Sequence, residues 1–258
     1  MNPRDEQIEA LKERTANLDR DRLDHCYRDI LKAYESESIV DSVCHLVEVR
    51  DRVPSDFAVL SNSEARRRSE FNSPSYIWEL YCFDLGRSVA LAEKRHLLEQ
   101  LGGLPSSGAT VDASAPKFSV LQDAVLQLAA RGYSPNVLFA PISLFVPFNM
   151  DRNIHLDWGT GRPEALILPN DRRVEVFWSS RAAPLDRFVV LDSSAGTWNV
   201  KLDPETGHRL TVAIGETESP RDSVVFLAET VITYEITDPR GFYVVEVQGE
   251  VPEHLRQA

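Results

Sequence analysis

Apolar and polar residues alternate along VVFLAETVITYEITDPRGFYVVEV, from Val224 to Val247, broken only by Asp238-Pro239-Arg240-Gly241. A period of two is the signature of β-strands, and the four-residue break predicts a long β-hairpin. In its first strand Phe226, Ala228, Ile232, Tyr234 and Ile236 fall on one face. Val225, Glu229, Thr233, Glu235 and Thr237 fall on the other, with Leu227 and Val231 interrupting the row. One face is dry and the other mixed. Shorter strand-like runs precede it: NVLFAP, ALILP, VEVFWSS, RFVVLD, TWNVKL and HRLTVAI, parted by turns rich in Asp, Pro, Asn and Gly.

The first half reads differently. Ile8, Leu11, Leu18 and Leu23, then Ile30, Leu31 and Tyr34, recur at helical spacing among charged residues. SIVDSVCHLVEVRDRV fits either a strand or a helix, and Pro54 ends it. FAVLSNSEARRRSEFNSPSY reads as a loop with a short helix, because Ser, Asn and Pro cluster there. The pattern then predicts a spine helix over 76–101, closed by Gly102-Gly103. That is well beyond the average of about 11–12 residues. Gly86 inside it costs about 1 kcal/mol relative to Ala and predicts a kink or a close contact. LPSSGATVDASAPK reads as a loop. A second helix is expected over 118–131, with Ser119 as N-cap and Gly132 as C-terminal stop.

These elements give an α+β chain: a helical N-terminal region over 1–72, then a strand-rich region over 73–258 with its strands at 136–247. The chain has 258 residues, with 43% hydrophobic and 26% charged. It can therefore bury a full core without disulfides. Cys26, Cys44 and Cys82 are odd in number and lack close spacing, so they read as reduced thiols. The formal net charge of -12 argues against a generic nucleic-acid binder. The one basic cluster, Arg66-Arg67-Arg68, reads as a solvated face. No apolar run approaches the ~20 residues needed to span a bilayer, and the N-terminus is too charged for a signal peptide. A cytoplasmic location is expected.

The sequence carries no strong catalytic or cofactor signature. There is no glycine-rich phosphate loop, no Gly-x-Ser-x-Gly elbow, no Cys-x-x-Cys pair and no His-Glu-x-x-His helix. Three weaker constellations remain. His25-Cys26 with Cys44-His45 offers four soft ligands, but adjacent pairs are awkward for tetrahedral zinc. Asp151, His155, Asp157 and Glu164 place a His among carboxylates, as in a hydrolase's general base, with no nucleophile or oxyanion donor beside it. The acidic runs ESESIVD and GETESPRD lack the oxygen spacing of a calcium loop. No catalytic, cofactor-binding or metal residue is assigned, and no cofactor is expected.

One resemblance extends over 76–247. It is carried by Gly132, Pro135, Asn136, Val137, Phe139 and Pro141, then by Val176, Ser179, Ser180, Ala183, Pro184, Phe188, Val189, Val190 and Asp192, set between the long helix and the closing strands. The order resembles the shell-protein fold of tailed-phage major capsids and encapsulins. The resemblance implies a non-enzymatic, self-assembling subunit, found in the cytoplasm or in a virion. Its partners would be further copies of itself and a cargo protein, with no nucleic acid or membrane contact evident. Phe226, Ile232, Tyr234, Ile236, Phe242 and Val244 are its candidate subunit contacts. The sequence departs from the family before the spine helix. Capsid subunits carry an extended two-stranded loop there, and residues 36–75 hold only the strand-like SVCHLVEV and the basic EARRRSEF. A short loop implies smaller assemblies. The alternative is an interaction module, monomeric or a small oligomer, that binds a partner through the acidic helical N-terminus.

Overall fold

In a computed structural model of the chain, the described residues are all but 1–2, 16–17, 44, 50–56, 72–76, 152–154, 158–163, 168–171, 181–183, 218–222 and 251–258. For 3, 4, 41, 42, 68, 77, 155–157 and 164 the backbone alone is described. In chain order the elements are α1 (Pro3–Glu13), α2 (Arg20–Glu37), α3 (Val40–Val43), β1 (His45–Val49), β2 (Ala58–Arg67), α4 (Arg68–Phe71), α5 (Ile77–Gly102), β3 (Ala109–Asp112), α6 (Ser119–Ala130), β4 (Val137–Ala140), α7 (Phe145–Met150), β5 (His155–Asp157), β6 (Glu164–Ile167), β7 (Arg173–Trp178), β8 (Arg187–Leu191), β9 (Gly196–Lys201), β10 (Thr211–Thr217), β11 (Ser223–Ile236) and β12 (Phe242–Gln248). The chain is α+β, as its pattern predicts.

Two compact units form, interleaved along the chain. One takes residues 1–39, 46–93 and 199–233, and the other takes 40–45, 94–198 and 234–258. Neither coincides with 1–72 or 73–258. The reason is strand pairing, which draws residues near position 60 to a strand near position 225.

In the first unit β11 is the central strand. β10 pairs antiparallel on one side, Thr211 opposite Glu229 through Thr217 opposite Ser223. β2 pairs antiparallel on the other, Ala58 opposite Ile232 through Arg67 opposite Ser223. β2 therefore replaces the loop expected at FAVLSNSEARRRSEF. It forms no ladder other than that with β11 among the described residues, so it is a margin of the sheet. α2 and the first part of α5 cover a core of Ile30, Leu31, Tyr34, Phe71, Trp78, Leu85, Val89, Val224 and Phe226. Trp78 stacks on Phe226 with ring centroids 5.4 Å apart, and Phe71 meets Trp78 edge-on at 5.0 Å. α2 starts at Asp19, whose carboxylate accepts from the Arg22 N–H at 3.2 Å, an ordinary N-cap.

Gly86 marks a close contact between helices. A Cβ there would strike the Ile30 carbonyl oxygen, and it would lie 3.0 Å from the Tyr34 nitrogen and 3.1 Å from the Ala33 Cβ. Gly215 on β10 plays the same part for α1, since a Cβ there would overlap the Leu11 carbonyl. Beside it the Glu216 N–H donates to the Arg14 carbonyl at 2.9 Å, and Ile8 is buried. Gly215→Ala is expected to lift α1 from β10. Limited proteolysis should then cut within residues 3–13 several-fold faster, at a cost of about 1–3 kcal/mol in stability. Unchanged cleavage would mean that α1 is not seated through this contact.

In the second unit a mixed seven-stranded sheet runs β3-β12-β8-β4-β7-β6-β5. β4 lies parallel to β7, and β12 lies parallel to β3. β3 thus occupies the stretch read as a pure loop. α6 buries Leu121, Ala124, Val125 and Leu128 beside Phe118, Phe148 and Phe188, whose rings lie 4.9–6.3 Å apart. The N-cap position of α6 falls on Phe118, which has no side-chain cap bond, and Ser119 is the first helical residue. Gly132 does end the helix, at φ +91°, where its N–H and that of Tyr133 reach the Ala129 and Leu128 carbonyls.

The closing strands do not form a hairpin. β11 belongs to the five-stranded sheet, whereas β12 pairs with β3 and β8. The turn between them is a 3₁₀ turn capped by Asp238, whose carboxylate accepts from the Arg240 N–H. Thr237 and Asp238 N–H groups both donate to the Ala195 carbonyl, at 3.0 and 3.1 Å. These bonds redirect the chain into the second sheet.

Candidate functional site

The His/Cys set is not gathered. His25 is half-exposed, with Nε2 3.3 Å from Asp29 and 3.8 Å from Glu79. Cys26 is buried against Cys82, and Cys44 lies outside the described residues. Among the described residues no three His, Cys, Asp or Glu side chains could hold a metal ion together. Of the polar excursion, Asp151 follows α7 and donates its N–H to the Phe148 carbonyl. His155 and Asp157 sit at the ends of β5, opposite Ile167 and Ala165, and Glu164 begins β6. The side chains of those three lie outside the described residues. Of the acidic runs, Glu37 faces Arg87 at 3.6 Å, and most of GETESPRD lies outside them.

The basic cluster is partly used inside the chain. The Arg66 guanidinium lies 3.9 Å over the Tyr81 ring and pairs with Glu64. Arg67 is exposed at the end of β2.

Two polar groupings do structural work. The Asp192 carboxylate accepts from the Ser134 N–H at 2.6 Å and from the Ser194 N–H and hydroxyl at 2.9 and 2.7 Å. Asn136 and Ser193 bond reciprocally beside it. Burial would raise the Asp192 pKa, but these donors outweigh it and hold it below the usual carboxylate value. This explains why Asn136 and Asp192 stand in the sequence pattern: they stitch the start of β4 to the end of β8. The other grouping centres on Glu93, almost wholly buried on α5 at 1% exposure. It accepts from the Tyr34 hydroxyl at 2.5 Å and from the Ser38 hydroxyl at 3.2 Å. Burial outweighs these bonds and the Arg209 charge, and pushes Glu93 up to about 7. Periodicity placed Glu93 on α5 but gave no sign that it points inward.

An open cleft of about 600 Å³ lies beneath α1, lined by Ile8, Lys12, Asp203, Glu205, Arg209 and Glu229 among others. Among the described residues no cysteine, serine or histidine lines it. Lys12 crosses it to Glu205 at 2.6 Å, with Glu9 at 3.6 Å and Asp203 at 3.9 Å. Burial works to lower the Lys12 pKa, and those three carboxylates together hold it above the ordinary lysine value. The cleft's charges tie α1 down.

The six residues expected at subunit contacts are placed as follows. Phe226, Ile232, Tyr234, Phe242 and Val244 are buried by the chain itself, and Ile236 is half-buried. The dry face of the strand is core within the single chain. Among the described residues the exposed large apolar side chains are Val59, Leu80 and Phe83 in the first unit, and Leu126, Ile142 and Met150 in the second. Leu80 and Phe83 stand one turn apart on α5, away from its buried Cys82, Leu85 and Val89. The available signal was that the start of α5 is apolar on more than one face.

No family model matches the sequence, and no curated protein matches it. Solved structures do match by fold. A virus-like particle from Pyrococcus furiosus aligns with TM-score 0.58 at 10% identity, over 86% of this chain and 98% of that one. The capsid of a native GTA particle aligns with TM-score 0.56 at 13% identity, over 83% and 91%. An encapsulin complex from Synechococcus elongatus aligns with TM-score 0.55 at 12% identity, over 80% and 85%. These neighbours are shell assemblies, and their shared fold is a structural one. No helix among the described residues is long and apolar enough to cross a membrane. From its spine helix to its closing strands, this chain has the fold shared by tailed-phage major capsid proteins, encapsulins and virus-like particle subunits.

Proposed function

We propose that this protein is a non-enzymatic shell subunit that assembles with copies of itself around a protein cargo, in the cytoplasm or in a virion. The observation that carries this reading is the extent of the fold, which covers 98% of a virus-like particle subunit. The exposed Leu80 and Phe83 give a neighbouring copy apolar side chains to cover. With a net charge of -12, copies repel one another. Salt screens that repulsion beyond about 8 Å at physiological strength, so assembly should grow with ionic strength.

Light scattering over a salt series, with negative-stain images of the same samples, tests this. Uniform particles far larger than a single 29.1 kDa chain are expected. Leu80→Asp with Phe83→Asp should reduce them to small species without loss of helical signal. A monomer at every salt concentration would overturn the reading.

A second reading is favoured by one observation. β1 and β2 are both committed to the subunit's own sheet, and residues 50–57 alone connect them. Among the described residues no long two-stranded loop precedes α5 to clasp a neighbour. On this reading the chain is a small oligomer that binds a partner through its N-terminal helices. Discrete dimers to hexamers at all salt concentrations would select it.

A further inference from the structure

Two of the chain's three cysteines meet inside the first unit. α2 and α5 run side by side in the same sense. Ile30 backs onto Gly86, Glu37 faces Arg87, and Tyr34 and Ser38 reach Glu93. Contact at Gly86 is backbone against side-chain position, which brings the helices closer than two ordinary side chains allow. One turn toward the N-terminus of each, Cys26 stands four residues before Ile30, and Cys82 stands four residues before Gly86. The two thiols are hydrogen-bonded to each other. Both are nearly inaccessible, at 4% and 1% exposure, and both are free thiols. A disulfide needs Cα atoms within about 7 Å and side chains directed at one another. A glycine-mediated helix contact one turn away brings the two backbones close, and both cysteines lie in the same buried cluster.

We propose that Cys26 and Cys82 close a reversible disulfide that staples α2 to α5 when the protein meets a disulfide or diazene oxidant. This inference goes beyond the shell reading and does not depend on it. The thiolate of one cysteine attacks a sulfur of the incoming disulfide and expels one thiol. The second cysteine then attacks the mixed disulfide and expels the other. The protein loses two protons and two electrons, one S–S bond forms, and the oxidant leaves as two thiols; a diazene instead takes the first thiol across its N=N bond and is displaced by the second as a hydrazine. The hydrogen bond with Cys26, together with burial, pushes the Cys82 thiol up, while the same bond draws Cys26 down. Because both sulfurs are buried, the reaction waits on a local opening of the helix pair.

The test treats the full chain with diamide and maps its peptides without reduction. One linked peptide pair containing Cys26 and Cys82 is expected, with both thiols lost together and restored by reductant. The thermal midpoint of the oxidised chain should rise by several degrees, because the link constrains the unfolded chain. Sub-denaturing urea should speed the reaction several-fold. A Cys44→Ser variant, which keeps only these two thiols, should behave alike. With oxidised glutathione in place of diamide, Cys82→Ser should leave Cys26 trapped as a mixed disulfide with glutathione. Links between chains, links through Cys44, or two thiols still free in urea would overturn the proposal.

Discussion

Gly86→Ala is expected to lower stability by about 3 kcal/mol, although alanine is the better helix former. Propensity alone would favour alanine by about 1 kcal/mol. Against that, the new methyl would overlap the Ile30 carbonyl and touch the backbone at Tyr34. The obstacle is backbone, which cannot turn aside as the end of a long side chain can. α2 and α5 would have to part, loosening the layer of Ile30, Tyr34, Leu85 and Val89 between them and the sheet. Overpacking of this kind costs about 1–3 kcal/mol and sometimes more. In urea the midpoint should fall with little change in slope. Gly102→Ala is the control, because a Cβ there meets nothing within 4 Å in the same helix. It should be neutral or slightly stabilising. If both substitutions behave alike, the two helices do not touch at Gly86.

The second large effect is a pH dependence. Glu93 has an ordinary value of 4.5 and a folded value of about 7. The folded state therefore binds this proton more tightly than the unfolded chain does. Its contribution is fully present below 4.5 and is lost as pH rises through 7, so stability from this group falls between pH 5 and pH 8. The difference corresponds to roughly 3 kcal/mol. Tyr34 is the ionisable group bonded to it, and Arg209 is the nearby charge. Burial, followed by the Glu93 charge and hydrogen bond, pushes Tyr34 above the ordinary tyrosine range, so it stays neutral throughout. Asp192 and Asp203 are held below the usual carboxylate value, and their effects appear in more acidic solution. Glu93→Gln keeps an oxygen for Tyr34 and carries no charge. The variant should match the parent at pH 5 and exceed it at pH 8 by up to about 3 kcal/mol. Parallel profiles for the two proteins would show that Glu93 does not titrate in this window.

What the sequence revealed depended on whether an element was held by its own pattern or by its neighbours. α5, at Ile77–Gly102, falls within a residue of the expected 76–101, because its period is long and its stop is a glycine pair. Gly86 was readable as a close contact. β2 was hidden because Ser61, Asn62, Ser63, Glu64 and Arg66 have little strand preference of their own. They are strand because β11 offers a ladder to pair with. β3 was hidden for the same reason, with Val111 its one buried side chain. The Asp-Pro-Arg-Gly turn misled in the opposite way. Its local chemistry suits a hairpin, and the bonds from Thr237 and Asp238 to Ala195 decide otherwise. The dry face of β11 was correctly seen as dry. Periodicity reports that a face leaves water and does not report whose atoms cover it. The candidate contact residues show this, since five of the six are buried by the chain itself, and Glu93 is found only by locating Tyr34 and Ser38 around it.

The composition of β2 also bears on how such a sheet could go wrong. A margin strand is the ordinary seed of fibre growth. Here it ends in Glu64, Arg66 and Arg67, with an ion pair between the first two. Another strand laid along it would bring charge against charge down the stack. Chains would then meet by their faces and not by endless extension of the sheet, and mutations that neutralise Arg66 and Arg67 should make the protein prone to amyloid-like precipitation.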